Sequence, residues 1–362
     1  MFGNIFWNVV RFGLAAAFLV LFFYLALAPK TYYTDAVIEG DSMGTFYSIK
    51  VSGIPMTVDN RELSRAIQET LDRIDRAMST YKPDSEVCRF NASDSTDWFP
   101  VSPETAAVVS LALDISTLTD GAFDITVAPL VQRWGFGAGA DSRSRPPGAE
   151  ELETVRNTVG FRHLRVHPDS GAIKKDIPEL QIDLSAVAKG YAVDQVARTL
   201  DTLKIDSYMI DIGGEVRCRG AKMDGSPWRI GIEVPQPDVP GADPNIFMAV
   251  ELKDVALATS GDYRDFQERD GVRYSHIIDP RTGEPTERTL PGEAVPTERL
   301  GSVSILDPSC ARADALATAF FVLGEIRGLE LAERAGIPAL FLSRSTDVSK
   351  PIRKAASQTF PR

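Results

Sequence analysis

The chain has 362 residues, 25% of them charged and 44% hydrophobic, the mix of a globular protein able to bury a substantial core. Its formal net charge of −11 argues against a nucleic-acid partner, because displacing counterions from phosphates needs a basic surface. An acidic protein still takes a phosphate-bearing ligand where a metal ion or a helix N-terminus supplies local positive charge.

The N-terminus breaks the globular pattern. Residues 12–28 carry no charge, and Arg11 stands just before them. That length is the lower end of a membrane-spanning helix and the upper end of a signal-peptide core. Ala26-Leu27-Ala28 has the small-x-small form of a cleavage site, but Pro29 follows it directly. Residues 1–30 therefore read as a signal anchor in the inner membrane, with a cleaved signal peptide as the alternative. Either way the positive flank stays inside and the rest is expected in the periplasm. Cys88, Cys218 and Cys310 have neither metal nor redox spacing and are expected as buried thiols.

Residues 45–51 alternate as a strand with one buried face. Leu63, Ile67, Leu71, Ile74 and Met78 recur at helical spacing and predict a helix over 60–78. Residues 79–91 read as a loop around Pro83 and Asp84. Ser102 is the cap of a helix with Pro103 at its first position and Gly121 past its end. Residues 122–140 look irregular, and 137–149 look like an exposed loop. A strand over 180–184 feeds a helix that begins near Ser185. Short strands between Gly and Pro turns follow over 207–220, 228–234, 245–253, 255–261 and 273–279, the rhythm of an antiparallel sheet. A polar excursion over 285–301 precedes a strand at 302–306. Next come a helix capped by Ser309 and closed by Gly324, a second over 325–335, and a strand over 338–343. The sum is an α+β fold over 31–344, mostly antiparallel sheet layers with packed helices, followed by a polar tail over 345–362 expected to fray. The glycines at 213 and 214 sit in a strand-turn context and do not form a dinucleotide fingerprint.

Three segments carry candidate chemistry. Asp314 and Thr318 are four residues apart on a predicted helix, so their oxygens project from one face. Such a pair makes two corners of a hard-cation site, although a solvated Asp beside a back-bonded Thr has the same spacing. Asp183 precedes a helix start where Ser185 and Ala186 are small enough for a metal or a second helix to reach the backbone. The Ala186 carbonyl is thus a third candidate oxygen, and Lys189, one turn on, suits a phosphate. A capped helix with a snorkelling lysine accounts for the same residues. His276 is expected on a strand ending at Asp279-Pro280, where packing is the competing explanation. His163 and His167 read as structural.

Taken in order, "DSMGTFYSIKV", "MSTYKPDSEVCRFN", "GAFDITVAPLVQRWGFG", "IDLSAVAKGYAVDQVA", "YMIDIGGEVRCRG", "SHIIDPRTGEP" and "ADALATAFFVLG" closely resemble the FAD:protein FMN transferases, the ApbE-type flavin transferases, from about residue 38 to residue 342. The resemblance implies an ApbE-like fold and magnesium-dependent transfer of FMN from FAD to a Thr or Ser hydroxyl of a partner protein, releasing AMP. Met43, Tyr81, Ala122, Phe123, Asp124, Asp183, Lys189 and Ile278 match the family's FAD contacts. The Ala186 carbonyl, the Asp314 carboxylate and the Thr318 hydroxyl match its magnesium positions. His276 falls on a histidine next to the family's active site, and either it or Asp314 would accept the hydroxyl proton. The partners implied are exported flavoprotein subunits of electron-transfer complexes. An FAD pyrophosphatase giving FMN and AMP, or a membrane-anchored FAD-binding protein without activity, are the alternatives. Two departures stand out: residues 286–301 are longer than the usual link, and the apolar N-terminal segment replaces the lipid-attached cysteine of many relatives.

Overall fold

The computed structural model describes residues 33–361 apart from 56–57, 141–144, 237–244, 264–265, 289–296, 346 and 348–349. The expected membrane segment over 1–30 lies outside the described residues. Among those described, no helix is long and apolar enough to cross a membrane.

The chain opens with a hairpin of β1 (Tyr33–Ser42) and β2 (Thr45–Pro55), turning at Met43 and Gly44, both at positive φ. Next come α1 (Asn60–Met78), α2 (Glu86–Ala92), β3 (Phe99–Pro100), α3 (Pro103–Leu118), α4 (Ala128–Arg133), α5 (Ala149–Arg156), β4 (Leu164–Val166) and β5 (Ala172–Lys175). Helix α6 (Ser185–Thr202) leads into strands β6 (Tyr208–Ile212), β7 (Glu215–Arg219), β8 (Trp228–Glu233), β9 (Ile246–Leu252), β10 (Val255–Gly261), β11 (Phe266–Arg269) and β12 (Val272–Ser275). The chain closes with β13 (Glu298–Asp307), α7 (Cys310–Ala335), β14 (Ala339–Ser345) and β15 (Arg353–Ala356).

Eight strands form one antiparallel sheet in the order β1-β2-β6-β7-β10-β13-β14-β15. Successive side chains of a strand point to opposite faces, and here that alternation builds two cores. Ala256 and Ala258, Val303 and Ile305, and Ala339 and Phe341 face a core shared with α1, α6 and α7. The residues between or beside them, Leu257, Leu306, Leu340 and Leu342, face a second core closed by Trp228, Ile232, Val250 and Leu252 of the β8–β9 hairpin. Helices α1, α6 and α7 thus lie on one face, and a hairpin covers the other.

Several local expectations need correction. Residues 79–91 are not all loop, because Ser85 caps α2 by accepting the Cys88 N–H at 2.9 Å. Residues 128–133 are helical within the stretch expected to be irregular. Residues 180–184 are not a strand. Their backbone bonds a side chain instead: Ile182 N–H donates to Asn91 Oδ1 and Asn91 Nδ2 donates to Ile182 O, both at 2.8 Å. β12 ends at Ser275, so His276 follows the strand rather than lying on it. Gly324 (φ 75°, ψ 171°), by contrast, breaks the helical conformation within α7 where the sequence expects one helix to close and the next to begin, and Gly336 terminates the second segment in the left-handed conformation. The tail does not simply fray, because β15 pairs with β14 and Phe360 is buried in the second core. Cys218 and Cys310 are buried, whereas Cys88 is only partly so.

Candidate functional site

Where α6 meets α7 the two helices touch backbone to backbone. A Cβ built on Gly190 would lie 2.4 Å from the Cys310 carbonyl oxygen and 2.8 Å from Asp314 Cβ. The small residues Ser185 and Ala186 predict a helix or a metal near the backbone there; one turn on, at Gly190, α7 meets the α6 backbone directly. Asp194, one turn further, ties the same helices by accepting the Cys310 and Ala311 N–H groups and the Ser309 hydroxyl, and it pairs with Arg217 of β7. A carboxylate at a helix N-terminus satisfies orphan donors and the positive end of the dipole together.

This contact orients Asp314. Its Oδ2 accepts the Gly190 N–H at 3.0 Å. In a regular helix that N–H would serve the Ala186 carbonyl, so the carbonyl at most shares its usual donor. Asp314 is 3% exposed. Burial pushes its carboxyl above the ordinary aspartate range, and the nearby Lys189 ammonium opposes that shift. Thr318, one turn along α7, shares a 2.9 Å hydrogen bond with Ser260 at the end of β10.

Lys189 projects from α6 onto β7, where its Nζ donates to Glu215 Oε1 at 2.6 Å. Burial alone would lower the lysine, but Glu215 and Asp314 together hold it above the usual lysine range. Burial pushes the Glu215 carboxyl upward, with the Lys189 ammonium opposing that shift and Asp314 adding to it.

These groups line one cavity of about 380 Å³. Asp183, Ser185, Ala186 and Lys189 come from the start of α6, Glu215 from β7, Thr259 to Gly261 from β10, and Asp314, Thr318 and Val322 from α7. Ala122 to Ile125 and His276 to Ile278 complete the lining. The Asp183 N–H donates to Ile125 O at 2.7 Å, and its Oδ1 accepts both the backbone N–H and the hydroxyl of Ser185. Asp183 thereby joins the 122–127 segment to the α6 N-terminus.

The structure thus brings Ala122, Phe123, Asp124, Asp183, Ala186, Lys189, His276, Ile278, Asp314 and Thr318 around one space. Met43 and Tyr81 are not among the lining residues. Met43 packs against the main core beside the β1–β2 turn, and Tyr81 is 71% exposed. The Asp124 carboxylate has a structural task within the wall: it accepts the Thr126 N–H and hydroxyl at 2.8 and 2.7 Å and the Phe161 N–H at 2.7 Å. Sequence reasoning missed Glu215 and Ser260. The signal for Glu215 was present, because the Gly213-Gly214 turn starts β7 with a carboxylate in the phase that faces the helices.

Residues 43–341 match the family model described as the ApbE family. An FAD:protein FMN transferase of Vibrio cholerae is 43% identical over 89% of this chain and 92% of that protein. One of Escherichia coli K12 is 38% identical over 89% of this chain and 88% of that protein. The solved structure of the flavin transferase ApbE from Vibrio cholerae superposes with a TM-score of 0.79 at 42% identity, covering 91% of this chain and 99% of that one. The apo flavinyl transferase ApbE of Pseudomonas stutzeri superposes with a TM-score of 0.76 at 36% identity, covering 90% and 96%. The chain belongs to the ApbE family and is an enzyme with the ApbE-like fold.

Proposed function

We propose that this enzyme, an FAD:protein FMN transferase, moves FMN from FAD onto a Thr or Ser hydroxyl of an exported flavoprotein with the help of one magnesium ion. The observation that carries this reading is the convergence of the Ala186, Asp314 and Thr318 positions with Lys189 on a single cavity. The donor set suits magnesium: a carboxylate, a hydroxyl and a carbonyl are all hard oxygens, with room left for waters and phosphate oxygens. Two observations support the fit. The Gly190 N–H donates to Asp314 Oδ2 and so fixes that carboxylate at the cavity, and Thr318, one turn along the same helix, lines the same space. Among the described residues no three His, Cys, Asp or Glu side chains gather as a metal cluster, and a site with one carboxylate is not of that kind.

Magnesium bound there would neutralise charge on the pyrophosphate and on the departing AMP. The chain's own residues do the rest. Lys189, held by Glu215, supplies a second positive charge at the phosphates. Asp183 and the 122–125 wall fix the α6 N-terminus against the nucleotide. The acceptor hydroxyl oxygen bonds to the FMN phosphorus as the bond from that phosphorus to the AMP oxygen breaks. The hydroxyl proton passes to a base on the enzyme, a role we assign to His276, since Asp314 is already engaged by Gly190 and by its ligand role. The uncharged segment over 12–28 supports a membrane-tethered enzyme with its catalytic part in the periplasm, facing an exported electron-transfer partner.

The test is to incubate the purified protein with FAD, magnesium and a candidate acceptor domain, following acceptor mass and AMP together. Transfer requires AMP and labelled acceptor in equal amounts. AMP formed at the same rate without acceptor would identify an FAD pyrophosphatase, and bound FAD with no AMP a carrier.

A further inference from the structure

We infer that Glu215 is a positioning residue of the transfer reaction, acting by fixing the Lys189 ammonium in the cavity. This rests on the reading of Lys189 as a phosphate contact. Glu215 lines the cavity and is 3% exposed, and its Oε2 has no hydrogen-bonding partner among the described residues. A carboxylate buried with an oxygen unused is costly to the fold and marks a group kept for another purpose.

Its place is tightly set. Glu215 is the first residue after the two-glycine turn of the β6–β7 hairpin and stands opposite Ile212. Gly213 adopts φ 63°, and a Cβ there would strike the Thr45 side chain at 2.8 Å, so the turn has little freedom to shift. Two residues along β7, on the same face, Arg217 pairs with Asp194 of α6. β7 therefore grips α6 at two points, Lys189 and Asp194, about one and a half helical turns apart, and neither Arg217 nor Asp194 lines the cavity. The Arg217 pair holds the helix, which leaves Glu215 free of that duty.

Lysine has a flexible four-carbon stem and a point charge that points wherever its strongest partner lies. Around Lys189 the charged or titratable groups are Glu215 from β7, Asp314 and Cys310 from α7, and Asp211 from β6. Of these, Glu215 alone is hydrogen-bonded to Nζ. Without it the ammonium would turn to Asp314, the carboxylate assigned to the metal, and both the phosphate contact and the metal site would suffer.

The experiment is a double-mutant cycle on FMN transfer with E215Q, K189M and the double variant, each checked for thermal unfolding. A residue acting through Lys189 gives strongly non-additive losses. We expect E215Q to lower kcat by about tenfold or more, the scale of lost outer-shell support. In the K189M background the same change should matter less than about twofold. Equal losses in both backgrounds, or no loss from E215Q where K189M is crippled, would overturn this inference alone. Full activity in K189M would overturn the reading of Lys189 beneath it, and this inference with it. Should E215Q not fold, E215D, which keeps the charge but shortens its reach, replaces it with the same expectations.

Discussion

The N–H of Gly190 donates to Asp314 Oδ2 at 3.0 Å, across two helices that approach until no side chain fits between them. One small residue thus sets both the packing of α6 on α7 and the orientation of the buried carboxylate. Gly190→Ala measures that coupling. Helix propensity alone favours alanine by about 1 kcal/mol. Overpacking opposes it by about 1–3 kcal/mol, and the obstacle is the Cys310 carbonyl, backbone that cannot swing aside. We expect a net loss in chemical denaturation together with reduced FMN transfer. A more stable, fully active Gly190→Ala would show that the helices are free to part.

Asn91 takes the place of a missing strand partner for Ile182, one residue before Asp183. Asn91→Ala strips both bonds from a segment that is otherwise irregular, at about 1–3 kcal/mol for the polar groups left unpaired. Because Asp183 stands at the cavity edge, the KM for FAD should rise by roughly tenfold. Steady-state kinetics beside a denaturation curve would check this, and an unchanged KM would show that the bonds to Ile125 and Ser185 hold Asp183 without Asn91.

Phe360 distinguishes an ordered C-terminus from a frayed one. It is 3% exposed and packs in the core that the β8–β9 hairpin closes, while Ser357 donates its N–H to Ala339 O at 2.9 Å. Phe360→Ala should cost about 3–5 kcal/mol, the range for removing a buried aromatic ring. A frayed tail would give no change in unfolding midpoint.

The sequence revealed the helices with the clearest apolar periodicity and the antiparallel rhythm after residue 207, because side-chain period directly encodes which face is buried. It revealed the Asp314–Thr318 pair for the same reason. What escaped it depends on partners distant in the chain. Residues 180–184 look like a strand, yet no strand comes beside them and Asn91 does instead. The tail looks polar, yet a single phenylalanine and a short strand anchor it. The turn phase puts Glu215 on the helix face, but its partner Lys189 lies 26 residues before it, beyond the reach of any local pattern. Asp124 lines the cavity and also accepts the Phe161 N–H, a partner 37 residues further on.

The most direct measurement is AMP release and acceptor labelling by Asp314→Ala and by the unaltered enzyme, over a magnesium titration from chelated to saturating. The account predicts that the unaltered enzyme is silent under chelator and restored by magnesium. Asp314→Ala should lose roughly a hundredfold or more at every magnesium concentration, as forfeiting several kcal/mol of charge stabilisation requires. Labelling that is indifferent to chelator, or an Asp314→Ala enzyme as fast as the original, would contradict it.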